Sequence, residues 1–389
     1  MGDLYRAAMP RRLCCVLIAA ICAVSLWAAE ASPVERPRRA SPETPESIGT
    51  RINSNTVYVV SGNLNGTYLT IAYDLSAVLD DGDNLRVLPI IGKGGGQNIR
   101  DVRFLKGVDI GITQSNLLSV FRRSNEIGQI DDKILYIARL FNEEFHLVVR
   151  AESGITSIEQ LAGKKVNFSD VGSGTQLSSR DIFSRLDIKV TEVNMGQNDA
   201  FVALKSGEIA ASVLIAGKPT GSTATLKASD GFRILPVPFS KALQDDYLPT
   251  TFTHEDYPNL IERGGGVDSI AVGAVLIAYN WPQNTDRYRR IAKFVDAFFP
   301  RIAEFQKAPR HPKWREVNLT ATVPGIKRFP AADAWLKANR ESVAQPAVKQ
   351  KFEKFLAQSG DGASASLPAQ QREQLFQEFL KWSQKQEAR

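Results

Sequence analysis

The sequence predicts an α/β protein of two lobes, each built on a mainly parallel sheet, and three observations carry that expectation. Short β-branched runs alternate with amphipathic helical runs from residue 57 onwards. The alternation begins afresh as a second set near residue 145. The turns that follow the strands are polar and rich in glycine. In order, Val57-Tyr58-Val59-Val60 reads as a strand and 69–79 as a helix. Residues 85–91 and 99–105 repeat the pair, and strand 108–112 precedes helix 117–121. Such a βαβαβ rhythm calls for a sheet covered on both faces. The second set opens with strand 145–150. Strand 165–168 then pairs with helix 177–186, strand 190–193 with helix 200–204, and strand 209–215 closes the set. Strands at 233–237 and 270–278 and a long helix at 286–305 follow. The expected division is therefore 53–147 for the first part of lobe 1, 148–234 for lobe 2 and 235–330 for the rest of lobe 1, with crossings near 145–150 and 233–238.

The two ends read differently. Arg11 and Arg12 precede an apolar run of 17 residues, 13–29, and Ala29-Glu30-Ala31 has the small-x-small form of a cleavage site. Residues 1–31 are thus expected to be a secretory signal peptide, with an uncleaved membrane anchor as the rival reading. Cys14, Cys15 and Cys22 all fall inside it, so the exported chain is expected to hold no thiol and no disulfide. Residues 32–52 are rich in Pro, Ser and charge and read as a disordered linker. Residues 331–389 read as a helical extension, with helices at 347–357 and 371–382 around a Gly/Ser/Ala linker. The chain carries +6, and loss of Asp3, Arg6, Arg11, Arg12 and Glu30 with the leader leaves +5. Without clustered Lys or Arg, that balance gives nucleic-acid binding no support.

The chemistry is concentrated in five turns at strand ends. They are Asn63-Leu64-Asn65-Gly66-Thr67-Tyr68, Gly92-Lys93-Gly94-Gly95-Gly96-Gln97-Asn98, Gln114-Ser115-Asn116, Gly172-Ser173-Gly174-Thr175 and Gly217-Lys218-Pro219-Thr220. A strand that passes through Gly-Ser-Gly-Thr into a helix leaves first-turn N–H groups unpaired at the positive end of the helix dipole. Singly, each turn is also an ordinary N-cap or glycine turn. Ligands of open α/β sheets lie beyond the strand carboxyl ends, so two facing lobes would bring these turns onto one cleft for a small polar anion.

Catalysis gets little support. Only His146, His254 and His311 are present, there is no Gly-x-Ser-x-Gly elbow, and no metal-ligand spacing occurs. His146 lies in an apolar run and reads as a core residue. Gly92 to Gly96 does not fit a phosphate loop, which needs Gly-Lys-Ser/Thr after four intervening residues. No enzyme activity, cofactor or metal is expected.

Taken together these turns resemble the TAXI family, the solute-binding subunits of tripartite ATP-independent periplasmic (TRAP) transporters. The resemblance is carried by Asn65-Gly66-Thr67-Tyr68, Gly96-Gln97-Asn98-Ile99, 108–115, 146–155, 161–166, Gly172-Ser173-Gly174-Thr175 and Ala216-Gly217-Lys218-Pro219-Thr220. It implies a type II periplasmic-binding-protein fold, a periplasmic location, and a small carboxylate ligand such as a dicarboxylate, a 2-oxoacid or an acidic amino acid. It also implies TRAP membrane subunits as partners; the protein itself is expected to be a monomer. Carried onto this chain, Thr67 and Tyr68 would offer hydroxyls, Gln114 and Ser115 polar contacts, and Ser173, Gly174 and Thr175 a carboxylate grip. Asn65, Gly66, Asn98, Gly172, Gly217, Lys218 and Thr220 complete the candidate ligand-binding set. Lys218 and the extension after residue 330 depart from the family's pattern. An exported ligand sensor, or a phosphate- or phosphonate-type binding protein, is the alternative.

Overall fold

The computed structural model describes residues 43–64 and 66–339. The expected leader and the helices at 347–357 and 371–382 lie outside them. Helix α1 (Pro45–Ser54) overlaps the end of the stretch read as a disordered linker, which corrects that reading for residues 45–52. Thr44 Oγ1 accepts the Ser47 N–H at 3.2 Å, Pro45 suits the first helical position, and Glu46 sits in the first turn. The segment's Pro/Ser-rich composition hid that start signal.

The alternation then proceeds as β1 (Thr56–Val60), α2 (Thr67–Leu79), β2 (Arg86–Ile90), α3 (Gly95–Phe104), β3 (Ile110–Gln114) and α4 (Ser115–Ser124). A 17-residue strand β4 (Ile134–Arg150) follows. The second set is β5 (Lys165–Asn167), α5 (Gly174–Arg185), β6 (Thr191–Val193), α6 (Gln197–Ser206), β7 (Ala211–Ala216), β8 (Phe232–Ile234) and β9 (Leu248–Thr253). Strand β10 (Gly266–Tyr279), α7 (Asp286–Phe298) and α8 (Pro330–Ala338) complete the described elements used below.

Among the described residues ten strands form one sheet, ordered β2-β1-β3-β10-β4-β7-β5-β6, with β8 beside β4 and β9 beside β10. Pairing within each set is parallel, β1 with β2 and β3, and β5 with β6 and β7. The expected mainly parallel sheet holds only there, because β4 and β10 run antiparallel through its middle. One carries the chain out to lobe 2 and the other brings it back, so their directions must oppose.

These two strands serve both cores. Leu135 and Ile137 of β4 pack with α2 and α7 residues such as Leu75 and Phe294, whereas Phe145, Leu147 and Val149 pack with Ile182 and Phe183 of α5. In β10, Ile270 and Val272 belong to the second cluster and Ala274, Leu276 and Ala278 to the first. The chain therefore crosses at about 141–144 and returns at about 273. The expected return near 233–238 is too early: Leu235, Val237, Leu243 and Tyr247 are buried in the second lobe's core. Register shifts between Gly273 and Val275 and between Leu276 and Ile277 mark the return crossing, as β-bulges do where a strand bends.

Candidate functional site

Three helix N-termini meet a cavity between the lobes. From lobe 1, α2 begins at Thr67 after Gly66, and α3 begins at Gly95 after Gly94; neither N-cap glycine has a side chain with which to satisfy the first amides. From lobe 2, α5 begins at Gly174 after Ser173, whose hydroxyl accepts the Gln176 N–H at 3.1 Å. That cap leaves the Gly174 and Thr175 amides without an intrahelical acceptor. Gly66, Thr67, Tyr68, Gly94, Gly95, Ser173, Gly174 and Thr175 all line a cavity of about 50 Å³. The summed dipoles make it favourable for negative charge.

Glycine is required where the lobes approach. A Cβ on Gly174 would lie 2.9 Å from Gln114 Cδ, and one on Gly96 would collide with Leu177 Cδ1 and lie 2.8 Å from the Gly172 carbonyl. Gly94 adopts φ +98°, a backbone region open to glycine.

Direct hydrogen bonds hold the cleft shut. Thr67 Oγ1 donates to the Gly217 carbonyl at 3.1 Å, and the Gln97 N–H donates to the Gly172 carbonyl at 3.0 Å. Ser178 Oγ donates to Gln114 Oε1 at 2.7 Å, and Asn116 Nδ2 reaches Ser178 and the Tyr247 hydroxyl at 2.9 Å each. Thr175 Oγ1 accepts the Ile215 N–H at 3.0 Å, which leaves its own proton to donate. A larger chamber of about 390 Å³ opens beyond, sharing Asn63, Gly66 and Leu214 with the inner cavity and bounded further by Leu64, Ile91 and Gln197.

The floor of the cavity is Glu143, which sequence reasoning missed. It sits in the crossing segment of β4, is 2% exposed, and accepts the Tyr68 hydroxyl at 2.5 Å. Burial pushes its carboxyl up to about 8, against the opposing hydrogen bonds of Tyr68 and Gln114. Its neighbour Glu144 projects away from the cavity. There it meets Lys313 Nζ at 2.6 Å, with both side chains 2% exposed, and the Lys218 N–H at 2.8 Å. Burial raises Glu144 as well, to about 7, with Lys313 offsetting part of the cost. The only legible signal was the doublet Glu143-Glu144 inside an otherwise apolar stretch.

His146 is a core residue. Its Nε2 meets the Tyr257 hydroxyl at 2.7 Å, its Nδ1 meets the Glu144 carbonyl at 2.8 Å, and burial lowers its pKa to about 4. Among the described residues no group of His, Cys, Asp and Glu could hold a metal.

Of the candidate ligand-binding residues, Gly66, Thr67, Tyr68, Gln114, Ser173, Gly174 and Thr175 come together on the inner cavity. Asn65 lies outside the described residues. Asn98 instead ties strand ends together, donating to the Ser61 and Ile112 carbonyls at 2.8 and 2.7 Å. Ser115 is half-buried at the start of α4 and does not line the cavity. Gly172 and Gly217 supply carbonyls to the interlobe bonds. Lys218 turns its amine to Asp256 at 2.8 Å, and Thr220 gives its N–H to Tyr257 at 3.0 Å, so neither side chain reaches the cavity.

Comparison with solved structures finds distant similarity. A periplasmic transporter is 16% identical, covering 76% of this chain and 97% of its own with a TM-score of 0.44. R. palustris Rpa4515 with adipate is 14% identical over 75% and 94%, with a TM-score of 0.44. The periplasmic aliphatic sulphonate binding protein SsuA from Escherichia coli is 16% identical over 73% and 78%, with a TM-score of 0.38. The model of the NMT1-like family matches residues 59–309, well over half of the sequence, and the chain therefore belongs to the NMT1-like family.

Proposed function

We propose that this protein is an extracytoplasmic solute-binding protein that captures a small carboxylate for a TRAP-type transporter. The ligand class is a dicarboxylate, a 2-oxoacid or an acidic amino acid. The observation that carries the reading is the convergence of three helix N-termini, α2, α3 and α5, on one cavity between lobes. A carboxylate entering the open cleft would first meet the Gly174 and Thr175 amides and the Thr175 hydroxyl. The first-turn amides of α2 and α3 complete the site only when the lobes meet, so ligand binding favours closure by differential contact. Micromolar affinity needs about 8 kcal/mol net. A few charge-assisted hydrogen bonds of roughly 1.5–3 kcal/mol each are enough inside a dry cleft. Separate membrane subunits, driven by an ion gradient, would perform the uptake. The role proposed is binding without covalent chemistry.

The test is a thermal-shift screen of the purified protein against glutarate, 2-oxoglutarate, L-glutamate and inorganic phosphate. At least one organic acid should raise the melting temperature by several degrees, with saturation, while phosphate leaves it unchanged. Stabilisation by phosphate alone would overturn the reading.

A further inference from the structure

Resting on that reading, the chemistry of the solute's head group follows from the floor of the cavity. Glu143 is a buried acid and, among the described residues, its hydrogen-bond partners are neutral donors, Tyr68 from α2 and Gln114 from β3. The nearest buried cation, Lys313, is already shared between Glu144 at 2.6 Å and Glu316 at 2.7 Å. Lys93, in the turn after β2, lines the cavity but is exposed, and among the described residues no ion pair joins it to Glu143. A buried carboxylate held by two hydrogen bonds yet lacking a counter-charge is costly unless a proton or a cation joins it. The same cavity has its positive pole at the Gly174 and Thr175 amides. Two opposite poles on the walls of so small a space match a head group carrying both charges. The remainder of the solute has somewhere to go, because the outer chamber shares Asn63, Gly66 and Leu214 with the inner one.

We propose that Glu143 receives a ligand ammonium group, so that the solute is a zwitterionic α-amino acid whose side chain extends into the outer chamber. Its carboxylate meets the start of α5 and its ammonium replaces the proton that Glu143 otherwise carries. A plain dicarboxylate would instead set a second negative group against Glu143 and would bind only while that residue stays protonated. The two ligand classes thus respond oppositely to pH. Tyr68, Glu144 and Lys313 are the titratable groups that bear on Glu143 from α2, from its own strand and from the segment after α7. Burial holds Glu143 protonated up to about pH 8, and Tyr68 stays neutral throughout that range.

The experiment is calorimetric titration of the wild-type protein with the common L-amino acids, each paired with its 2-oxo and des-amino analogue, at pH 6, 7 and 8. The expected result is at least one amino acid that binds roughly a hundredfold tighter than both analogues. Its affinity should rise by up to about tenfold per pH unit as one proton leaves Glu143. Glu143→Gln should abolish the preference for the ammonium group and flatten the pH dependence. An analogue lacking the ammonium group that binds as tightly, with affinity falling as pH rises, would overturn this inference and leave the carboxylate reading standing. Absence of binding by every carboxylate would overturn both.

Discussion

Glu143 and Glu144 are adjacent, equally buried and of identical chemistry, yet they belong to different regions of the molecule. Glu144 faces the clamp behind the sheet, where Lys313 and the Lys218 N–H hold it. That clamp is anchored by Trp314, buried with its indole N–H on Asp74 at 2.8 Å, and Asp74 also accepts the His311 N–H at 2.9 Å. Glu143 faces the cavity, where its hydrogen-bond partners among the described residues are neutral donors. Side chains of successive strand residues point to opposite faces, so one step along β4 converts a structural ion pair into a binding group. The contrast separates the charge that fixes the crossing from the charge that awaits a solute.

The largest expected effect is on the clamp. Lys313→Met keeps the methylenes that pack against Gly217 but strands Glu144, and should cost about 3–5 kcal/mol in chemical denaturation at pH 8. The loss should shrink near pH 5, where Glu144 is protonated in both variant and wild type. An equal loss at both pH values would mean that packing, not charge, dominates. On the cavity side the folded-state pKa of Glu143 is raised from 4.5 to about 8, so the folded state binds the extra proton between those values. Stability from this group is therefore fully present below about pH 4.5 and falls as pH rises through about 8, by at most about 1.4 kcal/mol for each pH step of one. Glu143→Gln should remove that slope, as followed by urea unfolding from pH 5 to pH 8.

Closure gives the next effect. Gly96→Ala places a methyl against Leu177 and the Gly172 carbonyl, and should weaken solute binding by roughly tenfold or more while small-angle scattering reports a more open particle. Thr175→Ala should weaken binding ten- to a hundredfold, about 1.4–2.7 kcal/mol, by calorimetry. The smallest effect is expected at Lys218→Ala. Its amine pairs with Asp256 outside the cavity, so affinity should stay within about twofold, and a larger loss would return Lys218 to the site.

How legible each feature was depends on the range of the interaction that creates it. The Gly-Ser-Gly-Thr turn is local: strand, cap and helix start lie within a few residues, so it was readable and the helix begins at Gly174 as its pattern requires. The strand-helix alternation was readable for the same reason. Glu143 was not, because a Glu-Glu doublet usually marks a solvated face, and only the antiparallel neighbour β10 and the helices around it bury both carboxylates. Lys218 was misplaced because its partner Asp256 lies 38 residues onward. At Gly96 the surface that crowds the turn is the other lobe, a contact that no local pattern carries. The return crossing was misjudged because residues 235–270 read as the start of lobe 1, although β9 pairs with the lobe 2 end of β10.

The most direct measurement is an amide NMR titration of isotope-labelled protein with L-glutamate and with 2-oxoglutarate. The account predicts that, for the acid that binds, the Gly174 and Thr175 N–H signals move downfield together with those at the start of α2, and saturate at one equivalent. If these amides stay still while signals elsewhere respond, the cavity between the lobes is not where the solute sits.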